Sequence, residues 1–261
     1  MKRYKGYIFD LDGTIYLDDQ AIPGAPETVR HLREAGCRVT FISNKPLEPR
    51  DHYAAKLTRL GIPVDPADVL TSGYVLGQWL AAESPGARVF VVGEPPLLAE
   101  LSTFGLHVTN DTGHSEKSDF VVAAFDRTFD YAKLNIAFQA LRRGARFIAT
   151  NADRTCPVQG GEIPDAAAVI GAIEGCTGQS VEWVAGKPSP LIIQAGLARM
   201  GGLPPAQCLV VGDRLETDMV MARRAGAASA LVLTGVTCRQ ALAASPVQPD
   251  YVLESVAQLM G

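Results

Sequence analysis

The sequence predicts an α/β protein organised around a parallel sheet. Short apolar runs alternate with stretches of helical periodicity. The runs are apolar throughout, as strands covered on both faces are. Glycines stand where the helical stretches end. Strand and helix in strict alternation is the pattern of parallel strands joined by crossover helices.

Tyr7-Ile8-Phe9-Asp10-Leu11 is the first run, and Gly13 and Thr14 mark a loop after it. From 25 to 35 the pattern is helical, with Val29 and Leu32 on one side, and Gly36 stops it. Residues 38–42 form a second, β-branched run. The next helix carries Tyr53, Leu57 and Leu60 and closes at Gly61. The middle of the chain holds strand candidates at Arg88–Val92, Phe120–Ala123 and Arg146–Ala149. Helix candidates lie at 75–83, 96–104, 131–143 and 166–176, enough for a small domain of its own. The last third returns to the opening pattern. A helix at 190–200 precedes a strand at 208–211 that runs into Gly212-Asp213. A helix at 216–225 stops at Gly226, and strands follow at 230–233 and Tyr251–Leu253.

With 261 residues the chain can build one large domain or two modest ones. Apolar residues make up 47% and charged residues 20%, a balance that excludes a disordered chain. The net charge of −4 argues against binding nucleic acid by neutralising its backbone. No apolar run reaches about 18 residues, so no membrane span is expected. The basic start, Met1-Lys2-Arg3-Tyr4-Lys5, leads into a stretch interrupted by Asp10 and Asp12, which no signal-peptide core tolerates. The cysteines at 37, 156, 176, 208 and 238 form no CxxC pair. Neither a zinc ribbon nor a disulfide framework is expected, and a reducing, cytoplasmic setting is. His31, His52, His107 and His114 are scattered, and HExxH is absent.

Four motifs carry chemistry, each at a strand exit or a helix start. Asp10-Leu11-Asp12-Gly13-Thr14 leaves the carboxyl end of a strand, where open α/β sheets bind ligands. A turn at Gly13 would bring Asp12 back over the point that Asp10 faces. One carboxylate can then attack phosphorus while the other protonates a leaving group. The pattern Asp-x-Asp-x-Thr arises by accident in about one chain of this length in thirty, so it does not decide alone. Phe41-Ile42-Ser43-Asn44 offers a hydroxyl and backbone amides to an anion, although Ser-Asn after a strand is also a common turn. Gly186-Lys187-Pro188-Ser189-Pro190 is not a P-loop, but it holds a cation in stiff backbone. Gly212-Asp213 through Asp218 supplies oxygen ligands for a hard cation such as Mg2+, or merely the acids that a helix N-terminus favours. Together they combine nucleophile, acid, anion clamp and metal ligands on one expected sheet edge.

On these motifs the sequence resembles the haloacid dehalogenase (HAD) superfamily of phosphohydrolases, and within it subclass IIA, the NagD and p-nitrophenyl phosphatase-like proteins. The likeness covers nearly the whole chain and extends to Gly144-Ala145-Arg146-Phe147-Ile148-Ala149-Thr150-Asn151-Ala152-Asp153. It implies a Rossmann-like three-layer core from residues 1–74 and 184–261, with an α/β cap of the C2 type inserted at 75–183. The cap would close over the core and exclude bulk water. By the same resemblance Asp10 attacks phosphorus and Asp12 serves as acid and then base. Ser43, Asn44 and Lys187 bind the phosphoryl group. Mg2+ is held by Asp10, the Asp12 carbonyl and Asp213, with Asp218 in support. The implied partner is a small phosphorylated metabolite, with neither nucleic acid nor membrane. Relatives that pair cap to cap raise a homodimer by analogy.

Asp12 also argues against dehalogenation, because a halide leaves without a proton. Lys45 follows Ser43-Asn44 where relatives often carry a small polar residue, and is expected to meet a second anionic group of the substrate. Asn151 and Asp153, in the loop 151–165, are the expected specificity residues. Cys156 and Ala167 depart from the family pattern in that same loop and just after it. The expectation is therefore a Mg2+-dependent phosphatase acting on small phosphomonoesters. A phosphotransferase using the same aspartyl-phosphate is the second reading, and a non-catalytic binding protein of the same fold the third.

Overall fold

The computed structural model describes residues 2–113, 117–158 and 161–260. His114 and positions 159–160 of the expected specificity loop lie outside the described residues. The chain divides into two compact units. The first comprises residues 1–43, 50–70 and 187–261, and the second residues 44–49 and 71–186. The expected insert at 75–183 lies within the second unit. The segment 44–49 joins it there, because Ser72 Oγ donates to the Asn44 carbonyl at 2.7 Å and Asn44 Nδ2 donates to Asp153 at 2.9 Å.

The sheet of the first unit runs Tyr251–Leu253, Ala228–Val232, Cys208–Gly212, Gly6–Asp10, Arg38–Ser43 and Val69–Thr71. The pairs from Tyr251–Leu253 through Arg38–Ser43 are parallel. Gly6–Asp10 is central and buried along its whole length, which is why it reads as a continuous apolar run. On one face Phe9, Phe41, Leu209 and Val211 pack with Val29 and Leu32 of the Ala25–Glu34 helix and Leu57 of the Arg50–Arg59 helix. On the other, the Pro190–Arg199 helix brings Gly196 close to Ile8, Thr40 and Leu70.

The second unit repeats the design. Its parallel sheet runs Trp183–Val184, Arg146–Ala149, Phe120–Ala123, Arg88–Val92 and His107–Thr109. Helices Ser72–Glu83 and Pro95–Ser102 cover one face and Tyr131–Arg142 and Ala166–Thr177 the other. An antiparallel hairpin, Thr155–Val158 with Gly161–Pro164, extends it. The two outer strands and the hairpin are absent from the sequence expectation; the outer strands, of two and three residues, carry too little periodicity to read, and the hairpin strands contain Pro157 and Pro164, which argue against a strand. Among the described residues no helix is long and apolar enough to cross a membrane.

Candidate active site

Each of the four motifs leaves its strand or enters its helix with a specific backbone device. Asp10 is the last residue of the central strand and is buried. The chain then turns tightly: Gly13 N donates to Tyr16 O at 2.8 Å, and Gly13 takes a φ of +80°, a conformation glycine reaches without strain. Thr14, fully buried, places its Oγ1 3.5 Å from Asp10 Oδ2. Ser43 is buried at the end of Arg38–Ser43. Lys187 stands just ahead of the Pro190–Arg199 helix, which Ser189 caps by accepting from Leu191 N at 3.3 Å and which Pro190 opens.

Lys187 Nζ is buried and donates to Asp10 Oδ1, and it pairs with Asp218 Oδ1 at 2.8 Å. Asp213 follows Cys208–Gly212, and its Oδ2 accepts from Val236 N at 2.6 Å. Asp218 sits in a π-helical turn, Leu215–Met219, that precedes the Val220–Ala225 helix. Such a turn re-aims a side chain within a helix, and it carries Asp218 back so that Oδ2 accepts from Arg214 N at 3.1 Å. The expected plain helix from 216 thus begins with a wider turn.

Carboxylate oxygens of Asp10, Asp213 and Asp218 lie within 4.8 Å of one another, all buried. Among the described residues, the one cation bonded to any of these three carboxyl groups is Lys187. Burial, above all, pushes the Asp10 carboxyl well above its ordinary range. Lys187 pulls it back, and Asp218 and Asp213 add to the rise. Asp213 is pushed up to about 6, first by burial and then by Asp218. Burial draws the Lys187 ammonium down, but Asp10 and Asp218 more than reverse this, and it stays protonated. Asp213 Oδ1 is buried and accepts no hydrogen bond among the described residues. A crowded, oxygen-only set that outnumbers its bonded cation and keeps an unpartnered lone pair fits a hard divalent cation.

Asp12 stands outside this carboxylate trio. It is half-buried and bridges to Tyr16, whose phenol is pushed up by burial and then by Asp12. Asn44 lies in the second unit, its amide committed to Asp153 Oδ2. Asn151 Nδ2 donates to the same oxygen at 3.1 Å and to Asp165 Oδ1 at 3.0 Å. Lys45 lies within electrostatic reach of Asp165. The expected specificity residues therefore form one polar network inside the second unit.

The sequence reading missed the loop after Ala228–Val232. Thr234 Oγ1 donates to Gly13 O at 2.6 Å, and Val236 N holds Asp213. Any Cβ at Gly235 would come within 2.0 Å of Asp213 Oδ2, and one at Gly212 within 2.3 Å of Asp218 Cγ. The available signal was a Thr-Gly pair at another strand exit of the same sheet.

A family model described as haloacid dehalogenase-like hydrolase matches residues 7–107, and a HAD-hydrolase-like model matches 184–259. The sugar-phosphatase AraL of Bacillus subtilis is 38% identical over 96% of this chain and 90% of its own length. The crystal structure of a 4-nitrophenylphosphatase from Thermotoga maritima superposes with a TM-score of 0.92 at 36% identity, covering 98% of this chain and 96% of that one. A glycerol phosphate phosphatase from Mycobacterium tuberculosis, solved in complex with magnesium, gives 0.88 at 34% identity over 98% of this chain and 76% of that one.

Proposed function

The chain belongs to the haloacid dehalogenase-like hydrolase family, in the branch of NagD and the nitrophenyl phosphatases, and on that premise we propose how its residues cleave a phosphate monoester. It is a phosphoric monoester hydrolase. One observation carries the mechanism: three buried carboxylates and one buried ammonium meet at the carboxyl edge of a parallel sheet with charge left over.

Asp10 is the nucleophile. Lys187 fixes one of its oxygens, so the carboxylate has little orientation to lose on attack. Attack forms an aspartyl-phosphate and expels the substrate's alkoxide. Asp12, two residues on and outside the carboxylate trio, gives the alkoxide its proton. It then takes a proton from the water that attacks the phosphorus, which returns Asp10 and releases phosphate. The balance is one ester and one water consumed, one alcohol and one phosphate formed. Lys187 and Ser43 bind the phosphoryl oxygens. The Asn44 amide, held by Asp153, positions the turn after Ser43 rather than the phosphoryl group itself.

Mg2+ suits the cluster: the Asp10 carboxylate, the Asp12 carbonyl and Asp213 would hold it, with Asp218 in support. When bound it offsets carboxylate charge that would otherwise repel a phosphate dianion. We read the substrates as small phosphorylated metabolites, sugar phosphates among them, and the wide cysteine spacing supports a reducing, cytoplasmic setting.

Phosphate release from p-nitrophenyl phosphate and a panel of sugar phosphates, with Mg2+ or EDTA, tests this. Wild type should turn over only with Mg2+, and Asp10→Asn should retain at most about a thousandth of that rate. Turnover above that level after either change contradicts the mechanism.

A further inference from the structure

The first unit carries a second polar site at the other edge of its sheet. A cleft of about 680 Å3 opens where the Arg38–Ser43 strand begins. A strand rise of about 3.3 Å per residue sets Arg38 roughly 17 Å from Ser43 and the catalytic edge. The volume is that of a small-molecule site.

Arg33, Arg38 and Arg199 line the cleft together with Asp65 and Asp68. Both aspartates are already engaged. Asp65 Oδ1 accepts from Ala67 N at 2.7 Å and caps the turn Pro66–Asp68, and Asp68 Oδ1 accepts from Arg199 Nε at 2.6 Å. Arg33 uses one donor on the Pro63 carbonyl, at 2.5 Å. Burial lowers the Arg33 pKa and Asp68 offsets this only in part, the direction of a cation short of compensating charge. Arg38 makes no ion pair or side-chain hydrogen bond among the described residues, in a chain whose net charge is −4. Thr40 also lines the cleft. It is buried, and its hydroxyl has no hydrogen-bond partner among the described residues. That hydroxyl faces Gly196 of the Pro190–Arg199 helix, so Thr40 forms the floor beneath the arginines and is not itself a ligand contact.

Three guanidinium groups face two carboxylates in the cleft, an excess of one positive charge, and Arg33 and Arg38 keep planar donor forks that suit phosphate oxygens. We propose that this cleft binds a phosphate-bearing small molecule on Arg33 and Arg38, at a site separate from the catalytic carboxylates.

The probe is AMP, titrated into the full chain in EDTA so that turnover stops, and followed by amide NMR. The expected result is saturable shifts at residues 37–40 and 199–201 with one dissociation constant. Arg38→Gln, at an exposed position, should weaken binding at least tenfold, and Arg33→Gln should weaken it as well. Both variants should keep wild-type Mg2+-dependent turnover of p-nitrophenyl phosphate. Adenosine, which lacks the phosphate, should leave these amides unmoved. Shifts confined to residues 10–14 and 213–218 would overturn the second site while sparing the phosphatase reading. An undiminished affinity in Arg38→Gln, or adenosine binding as well as AMP, would overturn it too.

Discussion

The two units share one architecture and differ in how their sheet edges handle charge. Both are parallel sheets with helices on both faces, and both gather polar residues where strands end. In the second unit each carboxylate there has its partners. Glu94 takes two bonds from Arg127, both at 2.7 Å, and Asp126 pairs with Lys133 at 2.7 Å. Asp153 accepts from two amides and Asp165 from Asn151 and Ala166 N. In the first unit three buried carboxylates share one lysine. The same fold thus gives one edge whose carboxylates each have a partner and one whose three buried carboxylates share a single lysine among the described residues. The proposed function rests on that imbalance, not on the fold.

The largest effect expected is at Asp10. Asp10→Asn should cut phosphate release by at least about 10³-fold, since it removes the attacking oxygen and leaves the rest of the edge in place. Lys187→Met should come next, with kcat down by about 10²–10³-fold in a steady-state assay, the scale of one lost charge-stabilising donor. A variant that kept its kcat would show that the lysine only balances charge.

Asp213 tests the imbalance as stability. Its pKa in the folded chain is about 6, above the ordinary carboxylate value. Its stabilising contribution is therefore present at low pH and is lost as pH rises through about 6. In EDTA the wild-type Tm should fall between pH 5 and pH 7.5, and Asp213→Asn should fall less. At pH 7.5 the variant should melt roughly 5 °C higher than wild type in EDTA, yet lose the Tm rise that Mg2+ gives wild type. Differential scanning calorimetry at both pH values reads this. A variant that melts lower in EDTA would mean the cluster is not short of positive charge.

The balanced edge should respond the other way. Arg127→Gln leaves Glu94 with its backbone bond from residue 127 but no cation, and should cost about 1–2 kcal/mol by urea unfolding with kcat within about twofold. The smallest effect is expected at Lys45, where Lys45→Ala should raise KM, by less than about tenfold, only for substrates with a second anionic group. Equal changes for neutral-tailed substrates would assign Lys45 to the Asp165 network alone.

The sequence revealed the central strands and the charged side chains, because long buried runs and clustered acids are strong local signals. Asp10, Lys187, Asp213 and Asp218, from three of the four motifs, converge as those motifs led one to expect. The Thr234–Val236 loop stayed hidden because it acts through a backbone N–H and the absence of a Cβ, neither of which marks a residue type as chemical. The wide turn at Leu215–Met219 stayed hidden because a π turn and an α turn share their periodic pattern over so few residues. The bond between Asn44 and Asp153 was not legible, because polar residues at strand exits look alike until their partners are known. Only the folded chain shows them bonded to each other.

The most direct measurement is an acid quench during turnover of a 32P-labelled phosphomonoester in Mg2+. The protein should carry hydroxylamine-labile label on Asp10, Asp12→Asn should accumulate more of it, and Asp10→Asn none. Full turnover with no label on the wild-type or Asp12→Asn chain, or label on another residue, would contradict attack by Asp10.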